Sequence, residues 1–188
     1  MTVLRKYIPA HFFLLLLMLL APTYRASGQE TGQNTATKTE SGLPSLAVIK
    51  ECLGEPQGAE CLDNLFREAL KTHTTLETLQ LIERFEAQDG DLRRDCHPVV
   101  HAVGRETFRL KGNIHDSFSA CDQTCHSGCY HGSVERFLRG DDLYAQTGQH
   151  PSQSELKQKT ATACDPSTPL KLRFQCLHGL GHAVMFFS

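Results

Sequence analysis

The sequence predicts an all-α domain of short antiparallel helical hairpins, stacked as a small repeat-like bundle and stapled by disulfides. Three observations predict it. Apolar residues recur at i, i+3 and i+4 in the mature chain; capping residues and Gly stops punctuate those stretches; and no run of alternating β-branched residues suggests a strand.

Residues 1–28 read as a secretory signal. Arg5 and Lys6 supply the positive start, Phe12 to Ala21 (FFLLLLMLLA) the apolar core, and Ala26, Ser27 and Gly28 the small residues at which cleavage is expected. That apolar run is too short for a bilayer span, which takes about 20 residues. If uncleaved, the leader would act as an anchor; otherwise the protein is periplasmic or secreted. The whole chain carries 19 basic and 21 acidic side chains; losing Arg5, Lys6 and Arg25 with the leader leaves 16 against 21, a net of −5. Such a surface argues against nucleic acid or an anionic membrane as the main partner and leaves a protein partner open.

Residues 29–42 (QETGQNTATKTESG) are polar and Thr-rich, as expected of a flexible linker. Residues 43–188 then form one domain with one modest core. Leu62, Leu65, Phe66, Ala69 and Leu70 mark one buried helix face. Thr74 and Glu77 form a capping box ahead of Leu76, Leu79, Ile82 and Phe85, with Gly90 as the stop. The next helix is expected from an Asp95 N-cap to Lys111, with Pro98 in its first turn and Gly112 closing it. Asn113 caps a short helix through Cys121, and another runs from Ser127 to Arg139, ended by Gly140. A polar loop with Gly148 and Pro151 follows, then a helix from Glu155, a Pro166/Pro169 turn and a last helix from Phe174. The apolar, uncapped ending Met185-Phe186-Phe187-Ser188 suggests that the natural unit continues.

The 8 cysteines lie at 52, 61, 96, 121, 125, 129, 164 and 176. An even number in an exported chain reads as disulfides in preference to thiolate ligands. Their spacing suggests Cys52 with Cys61 and Cys164 with Cys176 as local bridges; the other pairings stay open.

Chemistry concentrates in three helix starts: Cys96-His97-x3-His101, Cys129-x-His131-Gly132 with Glu135, and Cys176-x-His178-Gly179 with His182. Side chains four residues apart share a helix face, so each pair can reach one ion. His97, His101, His131, Glu135, His178 and His182 are therefore candidate ligands for a transition metal, Zn, Cu, Fe or Ni, with Glu106 supporting them from behind. Two other readings stand beside this one. In the first, the Cys and His only shape a metal-free, disulfide-stapled interaction module. Alternatively Cys121-x3-Cys125-His126, one residue longer than the haem c attachment motif, could carry a haem electron carrier. No nucleophile elbow, phosphate loop or H-E-x-x-H is present, so catalysis has no support apart from a metal.

Residues Gly104 to Gly140, with Gly112-Asn113 between helices and Gly128-Cys129 opening the next, resemble helical-repeat proteins of the tetratricopeptide or Sel1 kind, without the Trp and Tyr positions typical of the former. The set CHPVVHAVGRETF, CHSGCYHGSVERFL and CLHGLGHAV is also similar to uncharacterised exported Cys/His-rich proteins. Both likenesses imply architecture and no activity.

Overall fold

The computed structural model describes residues 42–140, 151–167 and 169–185. The signal expected over residues 1–28, all of the expected linker except Gly42, the loop expected around Gly148 and the last three residues lie outside them. The described residues form helices and no strands: α1 (Leu46–Gly54), α2 (Gly58–Ala69), α3 (Thr75–Gln88), α4 (Gly90–Lys111), α5 (Ile114–Ala120), α6 (Thr124–Arg139), α7 (Gln153–Ala163) and α8 (Leu170–Val184). No helix among them is long and apolar enough to cross a membrane.

Local chemistry sets most of the helix ends. Ser45 accepts from the Val48 amide to open α1, and Thr74 with Glu77 closes a full capping box on α3. Asn113 caps α5, and Gly112 ends α4 at φ 75°, a left-handed conformation that suits glycine.

Four starts differ from expectation. Helix α6 begins at Thr124 and not at Ser127, and left-handed Cys125, His126 and Ser127 interrupt it before its regular part. Helix α4 begins at Gly90 and not after Asp95, because the Asp89 carboxylate accepts from the Leu92 amide at 2.8 Å and caps it earlier. Gly90 therefore opens a helix as well as following the end of α3, and Pro98 lies in the helix interior. Helix α7 begins at Gln153, where Ser152 and Glu155 form a second capping box. Helix α8 begins at Leu170, directly after the extended Pro169.

Helix α4 is the hub, with α2, α3, α5 and α6 all packed on it, and α6 in turn carries α8. Contacts between α4 and α6 advance in step: His97 meets Cys125, Arg105 meets Glu135, and Phe108 meets Phe137. The two helices therefore run in the same direction, with short α5 returning the chain between them. This is the geometry of stacked helical hairpins, in which the first helix of one unit lies on the first helix of the next. Ile49, Leu62, Phe66, Leu79, Ile82, Val99, Val103, Phe118, Val134 and Leu138 fill the core at 2 % exposure or less. Each contributes roughly 1.5–3 kcal/mol by leaving water.

Glycine makes the central crossing possible. A Cβ on Gly132 would collide with the His101 carbonyl oxygen, and one on Gly104 with that of Cys129, so α4 and α6 meet backbone to backbone. Gly179 repeats the contact more loosely, where a Cβ would stand 3.4 Å from the Cα of His131. The two Cys-x-His-Gly segments thus use their glycines alike, Gly132 of α6 against His101 of α4 and Gly179 of α8 against His131 of α6.

Every cysteine is paired, as Cys52–Cys61, Cys96–Cys125, Cys121–Cys129 and Cys164–Cys176. The first and last are the local bridges that spacing suggested. They tie α1 to α2 and the end of α7 to α8. The middle two clamp the start of α6 to α4 and to the end of α5.

Candidate metal centre

The stacking of α4, α6 and α8 places five imidazoles in one row. His97 and His101 project from α4, one turn apart, with ring centroids 4.6 Å from each other. His131 of α6 lies 5.2 and 5.4 Å from them. On its other side are His178 and His182 of α8, at 4.9 and 4.5 Å. The five histidines named from the sequence therefore come together as two triads, His97/His101/His131 and His131/His178/His182, sharing His131.

The inner triad is held from behind. His97 Nδ1 is 2.8 Å from the Cys125 carbonyl oxygen, a group that only accepts, so Nδ1 carries the proton and Nε2 offers a lone pair. That carbonyl is aimed by an unusual turn: Cys125, His126 and Ser127 are all left-handed, with φ of 48°, 59° and 66°. Non-glycine residues rarely adopt this conformation, and the Cys96–Cys125 disulfide anchors the turn that does. His101 Nδ1 stands 3.4 Å from Glu135 Oε2, which fixes its tautomer the same way. Both Nε2 atoms then face each other as acceptors, 3.0 Å apart, and His131 Nδ1 lies 3.3 Å from that of His97. Two nitrogens bound to one tetrahedral Zn at 2.0–2.1 Å stand about 3.3 Å apart, so this spacing suits a shared ion.

Glu135 is 2 % exposed, and its oxygens are already engaged. Oε2 accepts from Arg105 Nη1 at 3.0 Å, and Oε1 pairs with Arg139 Nη2 at 2.9 Å. Arg105 in turn pairs with Asp63 at 2.7 Å. Burial opposes the charge on Glu135, but the hydrogen bond from His101 and the Arg105 and Arg139 charges outweigh it and hold its carboxyl down at about 2. Glu135, expected as a ligand, has its oxygens engaged by these two arginines and faces Nδ1 of His101. Glu106, expected behind the histidines, accepts from Arg67, Arg109 and Arg136 and closes a separate buried cluster.

Arg105, Arg139 and the Cys125 carbonyl were not singled out from the sequence. The two arginines had a signal: 97, 101 and 105 continue one helical stripe, and 131, 135 and 139 another. The carbonyl had none, because backbone groups carry no residue code.

His131 is 2 % exposed. Burial, reinforced by the imidazoles of His101, His182, His97 and His178, lowers its pKa to about 3, so the ring is neutral near pH 7. Its Nε2 is buried without a hydrogen-bond partner. Burial also lowers His97 and His182, each helped by neighbouring imidazoles. His178 is exposed and marks the solvent edge of the row. A cleft of about 430 Å³ between α2, α4 and α6 opens onto His97 and His101, with Leu62, Pro98, Arg105 and Arg139 in its wall.

The haem motif is arranged differently. Cys121 and Cys125 are bonded to Cys129 and Cys96, so neither sulfur is free for a thioether, and His126 is an exposed residue whose ring lies 6.5 Å from that of His97. Glu86 approaches Cys96 and Cys125, but both sulfurs there are spent in their disulfide.

The chain matches no protein-family model, and no curated protein or solved structure shows significant similarity to it.

Proposed function

We propose that this chain is an exported protein that binds a transition-metal ion, Zn or Cu before Fe, on the Nε2 atoms of His97 and His101 and a ring nitrogen of His131. One observation carries the reading. The partners of His97 and His101 commit both Nε2 atoms to be acceptors, and two acceptors facing each other at 3.0 Å repel unless a cation lies between them. The neutral, buried His131 adds a ligand that needs no deprotonation near pH 7. Three nitrogen ligands leave a fourth position, as in zinc sites that keep an exchangeable water, and the neighbouring cleft offers it room. Four disulfides and the signal-like leader agree with export.

Equilibrium dialysis of the mature protein against Zn²⁺ with a competing chelator tests this. Stoichiometric binding is expected, and His97→Ala and His101→Ala should each lose most of it while circular dichroism shows the helices intact. Wild-type protein that retains no stoichiometric ion after exposure to Zn²⁺ and Cu²⁺ would overturn the proposal.

A further inference from the structure

We infer that the centre holds two ions and that the imidazole of His131 bridges them, one ion on each ring nitrogen. The inference rests on the metal-binding reading above and extends it to α8.

Four observations point the same way. Nδ1 of His131 faces the inner pair, 3.3 Å from His97 Nε2. The opposite edge of the ring lies against α8, since a Cβ on Gly179 would stand 3.4 Å from His131 Cδ2, the atom next to Nε2. That Nε2 is buried and has no hydrogen-bond partner, although leaving a buried ring nitrogen unsatisfied opposes folding. Finally, α8 supplies a second pair like the first: His178 Nε2 and His182 Nε2 lie 3.1 Å apart, within reach of the same ring. The orphan nitrogen therefore has a use, as the third ligand of an outer ion.

When the second ion binds, His131 gives up its remaining ring proton to solvent and becomes an imidazolate, with one nitrogen lone pair for each metal. Metal–nitrogen bonds of 2.0–2.1 Å on both sides of the ring put the ions about 6 Å apart. The outer ion sits nearer solvent, because His178 is exposed, and should exchange more readily than the inner one.

Titration of the metal-free mature protein with Cu²⁺ alone, followed by paramagnetic resonance at liquid-helium temperature and by metal analysis, tests the bridge. An imidazolate couples two Cu²⁺ spins antiferromagnetically. The signal should grow over the first equivalent, shrink over the second, and end with two ions per chain and little resonance. The double variant His178→Asn/His182→Asn should bind one ion with a full, uncoupled signal. Wild type that binds a single ion, unchanged in the double variant, would overturn the bridge and leave the one-ion reading standing. Two ions with fully additive signals would overturn it as well. Binding of no Cu²⁺ would overturn the bridge, and binding of neither Cu²⁺ nor Zn²⁺ would overturn both readings.

Discussion

The imidazole of His101 and the carboxylate of Glu135 meet across the α4–α6 crossing, Nδ1 to Oε2, at 3.4 Å, with Arg105 and Arg139 neutralising the acid from the far side. This arrangement aims His101 and fixes which of its nitrogens carries the proton. Groups of this kind tune metal affinity without touching the ion. Glu135→Gln preserves the shape and removes the charge. It should lower Zn²⁺ affinity by about 10- to 100-fold while stoichiometry stays the same. Isothermal titration calorimetry measures both quantities; unchanged affinity would show that the contact serves packing alone.

The close crossing of α4 and α6 is what brings His131 into the row. Gly132→Ala would drive a methyl group into the His101 carbonyl, and backbone on both sides leaves little room to yield. A loss of about 3 kcal/mol is expected, at the upper end for overpacking, read as a lower urea midpoint with an unchanged m-value. Gly179→Ala meets nothing closer than 3.3 Å and should cost less. Equal losses at the two sites would contradict the asymmetry.

The Cys96–Cys125 disulfide has two consequences. It closes a loop of 29 residues, worth about 3–4 kcal/mol in the chain-entropy account, and it anchors the left-handed turn that points the Cys125 carbonyl at His97. The Cys96→Ser/Cys125→Ser protein should therefore be less stable and should also bind Zn²⁺ more weakly. Loss of Cys52–Cys61, on a different hairpin, should reduce stability alone. Thiol titration of the denatured, unreduced wild type should find no free cysteine.

Stability of the metal-free protein should fall in acid for two reasons that add. An unfolded histidine takes a proton near pH 6.5, whereas folded His131 resists until about 3. Above pH 6.5 the residue is neutral in both states and has no effect. Below it the unfolded chain binds a proton the folded chain does not, and stability drops by up to about 1.4 kcal/mol per pH unit. Glu135, near 2 when folded and about 4.3 when unfolded, stabilises the fold above that range and loses its contribution as pH falls through it. Urea midpoints measured from pH 7 to pH 4 should decline, and more shallowly in His131→Phe. Identical slopes would contradict the assignment to His131.

Much of the architecture was legible because it is local. Thr74 and Glu77 announce α3, Asn113 opens α5, and Gly140 ends α6. Period 3.6 alone put His97 with His101 and His178 with His182 on common faces. What stayed hidden depends on contacts between helices. Asp89 and Asp95 are equally good caps in sequence, and only packing with α3 and Lys50 selects Asp89. The left-handed run Cys125–Ser127 contains no glycine to betray it. Glu135 has the spacing of a ligand, and nothing in that spacing announces that Arg105 and Arg139 pair with its oxygens. That the ring of His131 belongs to both triads follows from the position of α6 between its neighbours, which no spacing encodes.

X-ray absorption at the zinc edge tests the central claim most directly. Mature protein loaded with Zn²⁺ and freed of excess should show a nearest shell of nitrogen or oxygen only, at about 2.0–2.1 Å, with the outer-shell scattering of about three imidazoles per ion. A sulfur shell near 2.3 Å, or a spectrum with no imidazole scattering, would contradict the histidine centre.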